Sequence, residues 1–196
     1  DWSSDVCSSD LGTPMYLAKV NYKREDVTHI LSNILKNIIS DNTVIICIGT
    51  DRAIGDALGP LVGTMLKNSD FKYPVYGTLD NPIHALNIYE SIEQIKSKHS
   101  SSQFLAIDAC LGSASNIGNI QIREGPILPG KGVGKKLPQV GTYSIVGIVD
   151  KIDENNRFSF NNIRLHFILE LAETIALSLL LARSEERRVG KECRSR

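Results

Sequence analysis

The chain is 196 residues long and carries 22 Lys and Arg against 22 Asp and Glu, a formal net charge of zero. Neutrality without a basic stripe argues against a nucleic-acid footprint or attraction to an anionic membrane. Four cysteines with no CxxC spacing argue against both a disulfide scaffold and a zinc cluster.

Both ends are unlike the interior. Residues 1–11 (DWSSDVCSSDL) and 183–196 (RSEERRVGKECRSR) carry no apolar period. Back-translated, they resemble the two arms of a sequencing adapter, so both are set aside as artefactual tails. The body, residues 12–182, keeps 16 basic and 16 acidic residues and two cysteines, Cys47 and Cys110. Its length suits one α/β domain with a substantial core.

Within the body, apolar positions from Val27 to Ile39 recur with the helical period and predict a helix over 24–40. Residues 43–48 (TVIICI) form a short, β-branched, almost wholly apolar run, the pattern of a strand covered on both faces. The loop TDRAIGD leads to a helix over about 57–66, where Pro60 is tolerable only in the first turn. A strand is expected around 73–79, then a helix opened by Asn81-Pro82 and reaching about 98.

Residues 103–109 (QFLAIDA) read as a second buried strand, and 117–123 as a strand at an edge. The stretch 126–141, rich in Gly, Pro and Lys, reads as a long loop. A strand over 143–149 follows, and Asn161 or Asn162 caps a last helix to about 182. No apolar run reaches the roughly 18 residues of a membrane span. The stretch 167–181 is interrupted by Glu170, Glu173 and Thr174 and reads as a core helix, so a cytoplasmic setting is expected. Alternating strands and helices predict a three-layer α/β/α sandwich around a mostly parallel sheet.

Ligands of open α/β sheets collect where strands end in loops. Two acidic segments fall at such ends: IGTDRAIGDALGP, with Asp56, and AIDACLG, with Asp108. A pair of carboxylates there can share a proton and activate water. With a histidine, two carboxylates can instead hold a divalent metal, and His84 in NPIHA is the candidate third ligand. The structural alternative makes Asp56 a helix N-cap and Asp108 a brace for loop amides. Cys110 is the candidate thiol of the site, against a packing role; Cys47 lies inside a buried strand and reads as core. GKGVGKK fails the phosphate-loop spacing, because position 129 is proline and position 136 lysine.

Taken in order, GTDRAIGDALGPLVG, YGTLDNPIHALN, IDACLG and GPILPGKGVG resemble the YyaC-like sporulation proteins of endospore-forming bacteria over most of residues 43–182. The same order is similar to the germination protease that degrades small acid-soluble spore proteins. That family carries D-A-L-G-P, I-D-A and P-G-x-G-V-G segments. The resemblance implies that Asp56 and Asp108 match its two catalytic aspartates, and that Pro129, Gly130, Gly132, Val133 and Gly134 match its loop. Hydrogenase-maturation endopeptidases are more remotely similar and place metal-binding acids at comparable strand ends.

The resemblance implies a phosphorylase/hydrolase-like sandwich with a peptidase-type site acting on a spore protein or peptide. In that reading Gly130, Gly132 and Gly134 hold substrate backbone, while Asp51 and Arg52 line the entrance. The alternatives are a non-catalytic sporulation factor that binds a protein partner, and a metal-binding maturation endopeptidase. Two departures stand out: a cysteine, Cys110, follows the I-D-A segment, and no pro-segment is evident before the first helix.

Overall fold

Thr43–Cys47, the apolar run read as a doubly covered strand, is buried at every position and sits inside a six-stranded sheet. The computed structural model describes residues 15–129, 137–151 and 163–192, with side-chain surroundings described through residue 183. In chain order the elements are β1 (Met15–Asn21), α1 (Val27–Leu35), β2 (Thr43–Cys47), α2 (Leu58–Lys67), β3 (Val75–Tyr76), α3 (Ile88–Lys98), β4 (Gln103–Gly112), β5 (Asn119–Glu124), β6 (Tyr143–Lys151) and α4 (Leu165–Glu192).

The sheet order is β1-β5-β6-β4-β2-β3. Strands β3, β2, β4 and β6 are parallel neighbours, while β5 runs antiparallel to both β6 and β1. The sheet is therefore mixed: helices α2 and α3 make the crossovers from β2 to β3 and from β3 to β4, whereas β4 reaches its parallel neighbour β6 through β5.

Side chains alternate across the sheet, and each face finds helices. On one face Ile45, Leu105, Ile107 and Ile145 pack with Leu31 and Leu35 of α1, Leu58, Val62 and Leu66 of α2, and Ile168, Leu171, Ile175 and Leu179 of α4. On the other face Val44, Ile46, Ala106, Val146 and Ile148 pack with Ile88, Ile92 and Ile95 of α3. The stretch Leu165–Arg183 is long and apolar enough to cross a membrane by composition. Its inward face is sealed at Ile168, Leu171, Ala172, Ile175, Ala176 and Leu179, as expected of a core helix.

Several expectations are corrected. Helix α1 covers only Val27–Leu35; Ile38 and Ile39 remain buried in the turn beyond it. The strand expected over 73–79 is paired only at Val75–Tyr76, because Gly77 turns to a φ of 83°. Asn81-Pro82 opens no helix. Ile83 is taken instead into a parallel bridge with Ile48, and α3 begins six residues after Pro82, behind Asn87. Strand β5 is interior rather than at an edge, since β1, which the apolar pattern did not disclose, pairs along its outer side. The stretch 126–141 is not wholly loop: Ile127 and Val140 form an antiparallel bridge and pack on the α3 face. The caps expected at Asn161 or Asn162, and the loop tip 130–136, lie outside the described residues.

Candidate active site

The chain passes from β2 through α2 to β3 on one side, then through α3 to β4 on the other. The carboxyl ends of β2 and β4 thus flank the point where the winding reverses, which is where crevices form in open α/β sheets. Cys47 pairs with Ile107 as the last β2–β4 partners, whereas β4 continues to Gly112 alongside β6. The sheet steps down there. Asp108 is the first β4 residue beyond the step, so it is not at the end of its strand, as expected, but where its neighbour stops.

The step has a backbone consequence. The Ile48 amide donates to the Ile107 carbonyl at 2.8 Å, so residues 107 and 109 of β4 turn their polar groups toward β2. With β2 finished, the Ala109 amide has no strand to meet, and it donates to Asp108 Oδ1 at 2.8 Å. Asp108 therefore does brace a loose amide. It is also only 8% exposed, far drier than a brace needs.

The loop after β2 carries the second acid. Gly49, at a φ of 137°, donates its amide to the Ile83 carbonyl at 2.8 Å, and the Thr50 amide donates to the Asp56 carbonyl at 3.0 Å. The loop closes on itself so tightly that a Cβ on Gly49 would stand 2.0 Å from that same carbonyl oxygen. Residues 54–56 form a single 3-10 turn, and α2 starts behind Ala57. Asp56 is therefore not the side-chain N-cap of α2, which has none. Helix α2 presses onto the strand ends through its small residues: a Cβ on Gly59 would lie 2.1 Å from the Ile48 oxygen, and one on Gly63 2.1 Å from the Gly77 oxygen.

The two carboxyls feel one another. Burial is the main cause that raises Asp108 well above the ordinary carboxylate range; the charge of Asp56 adds to it, and the Ala109 amide opposes it. Burial likewise raises Asp56 from 3.8 to about 6, against the pull of the Thr50 amide. Asp108 is buried and Asp56 half-buried. Two neighbouring carboxyls so placed do not both ionise cheaply, and burial raises Asp108 more strongly, so Asp108 is the one that favours the proton.

The remaining candidates separate from this pair. His84 lies in the turn before α3; its Nδ1 accepts from the Leu86 amide at 3.3 Å and its own amide donates to Asn87 Oδ1 at 2.8 Å. Among the described residues no group of three His, Cys, Asp or Glu is gathered that could hold a metal, so Asp56, Asp108 and His84 do not make the expected ligand set. Cys110 shares the face of Asp108, but it is 5% exposed, packed with Ile127, Val146 and Ile148, and disulfide-bonded, so it is not the thiol expected of the site. Cys47 is core, as expected, and burial pushes its thiol up. Asp51 and Arg52 are exposed on the rim of the loop. Gly130, Gly132 and Gly134 lie outside the described residues.

Sequence reading missed Thr50 and Ala109, whose amides act on the two acids. A backbone donor leaves no mark in side-chain chemistry.

Comparison with known families is decisive on kinship. Residues 19–178 match the family described as "Protein of unknown function (DUF1256)". The chain belongs to that family. It is also 41% identical over 158 residues to "Uncharacterized protein YyaC" of Bacillus subtilis (strain 168), covering 80% of this chain and 77% of the relative. Both aspartates, the closed loop at Gly49 and the step between β2 and β4 lie inside the DUF1256 match.

Proposed function

We propose that this DUF1256 chain is a sporulation-associated hydrolase of the peptidase type, and that Asp56 and Asp108 are its acid–base pair. The observation that carries the reading is the pair at the reversal of the sheet, in which burial, and then the charge of half-buried Asp56, raise Asp108. Shared fold with phosphorylase/hydrolase-like peptidases, a spore-protein substrate and a cytoplasmic setting in the sporulating cell belong to the same proposal. They rest on the D-A-L-G-P and I-D-A segments around the two aspartates.

The chemistry needs one acid of each kind. Ionised Asp56 takes a proton from water as its oxygen attacks the peptide carbonyl carbon. Protonated Asp108 gives its proton to the carbonyl oxygen, which forms a neutral gem-diol. Asp56 then returns the captured proton to the amide nitrogen. The C–N bond breaks, the carbonyl reforms and Asp108 recovers its proton. Atoms and charge balance without a covalent enzyme intermediate. The described residues offer no donor set for a metal, and no step is routed through one.

The test is incubation of the purified chain with a small acid-soluble spore protein, beside Asp56→Asn and Asp108→Asn. New peptide termini, identified by mass spectrometry, are expected with the parent and at least a hundredfold more slowly with either variant. Cleavage that survives both substitutions would remove the carboxyls from the mechanism. A folded parent that cleaves nothing and instead retains the spore protein would make this a partner-binding factor.

A further inference from the structure

We propose that the free edge of β3 is a docking site for an extended peptide carrying two consecutive acidic residues, received as a seventh strand. This site is separate from the aspartate pair and does not depend on hydrolysis there.

Strand β3 closes the sheet on one side, pairing with β2 and, among the described residues, with nothing beyond. The Ile45 amide donates to the Pro74 carbonyl at 2.9 Å. In a parallel ladder this turns Pro74 and Tyr76 toward β2 and leaves the N–H and C=O of Val75 pointing outward. Outward-facing strand groups are the template on which a guest strand adds. Beside them is a groove of about 360 Å³, bounded by α2, β3, the segment leading to Ile83, and α3.

Its charge has one sign. Lys67 and Lys98 are the charged residues of the lining, beside polar Thr78, Asn81 and Gln94. Lys67 ends α2 and Lys98 ends α3, helices that cover opposite faces of the sheet. The two lysines therefore reach the groove from helices on opposite faces of the sheet. Lys98 is held over the Tyr76 ring, 6.0 Å from its centroid. Part of each charge offsets a helix terminus, but no acid of the groove offsets the rest.

A guest strand turns successive side chains to opposite faces. Two neighbouring acidic residues would thus meet Lys98 and Lys67 respectively, whereas acids spaced by two would both face one lysine. A second copy joined edge to edge would bring lysines against lysines, so charge favours an acidic peptide over self-association.

The test uses the full chain and a fluorescein-labelled probe, Ser-Thr-Val-Glu-Glu-Val-Thr-Ser, followed by fluorescence anisotropy. Saturable binding is expected, weakened about tenfold or more by the double variant Lys67→Glu, Lys98→Glu, whose side chains are solvent-exposed. Val75→Pro removes the outward donor and leaves both neighbouring β2 contacts, so it should abolish binding with charge unchanged. Asp56→Asn should bind as the parent does, which distinguishes this site from the catalytic proposal. The proposal is overturned if the probe does not saturate, which would make the lysines guards of an exposed edge. Equal affinity for a Lys-Lys probe, indifference to Val75→Pro, or a dimer dissolved by Val75→Pro in sedimentation would overturn it as well.

Discussion

Replacing Asp56 by asparagine should stabilise the protein at alkaline pH while disabling the proposed chemistry. Asp56 is raised from its ordinary 3.8 to about 6, chiefly by burial. The folded state therefore holds this proton more tightly than the unfolded chain does. That contribution to stability is fully present below about 3.8 and is lost as pH rises through about 6. At about 1.36 kcal/mol per pH unit, the loss at pH 8 is at most about 3 kcal/mol.

Asparagine keeps the shape and an acceptor for the Thr50 amide but has no charge to desolvate. Asp56→Asn should then gain up to about 3 kcal/mol at pH 8, about 6–12 °C in Tm for a domain of this size, and little at pH 4. Thermal melts followed by circular dichroism at both pH values measure it. A variant no more stable than the parent at pH 8, or shifted equally at both, would refute the claim that a strained charge sits at Asp56.

The remaining predictions probe neighbouring features. If Asp56 is the base, the pH–rate profile for peptide hydrolysis should rise through about 6 on its acid limb, and a limb near 4 would contradict it. Gly59→Ala forces a methyl to within 2.1 Å of the Ile48 carbonyl oxygen; a loss of about 3 kcal/mol or more in denaturant unfolding is expected, and a neutral result would mean α2 is free to move. Ser144 is 1% exposed and its hydroxyl has no hydrogen-bond partner among the described residues, so Ser144→Ala should be neutral or stabilising by about 1 kcal/mol in the same assay.

Where burial governs local structure, composition reveals it. The runs 43–48 and 103–109 are apolar on both sides because helices cover both faces, and they emerge as β2 and the greater part of β4. The convergence of Asp56 with Asp108 followed from those strand ends. What stayed hidden depends on distant partners. Strand β1 is only partly buried along Tyr16–Val20, so no apolar alternation marks it; β5 opposite supplies its hydrogen bonds. Strand β5 buries Gln121 and Arg123, whose polar character masks an interior position, and the two bond to each other through Gln121 Oε1 and Arg123 Nε at 3.0 Å. The delayed start of α3 follows from the Ile48–Ile83 bridge, a contact across 35 positions that local capping signals do not encode.

Strand β4 outruns β2 by five residues, Asp108 to Gly112. At about 3.3 Å each that is an overhang of about 16 Å. Lengthening β2 by two residues would lay backbone beside Ala109 and take up its amide without touching either acid. The overhang is thus an omission in one strand rather than an addition to another.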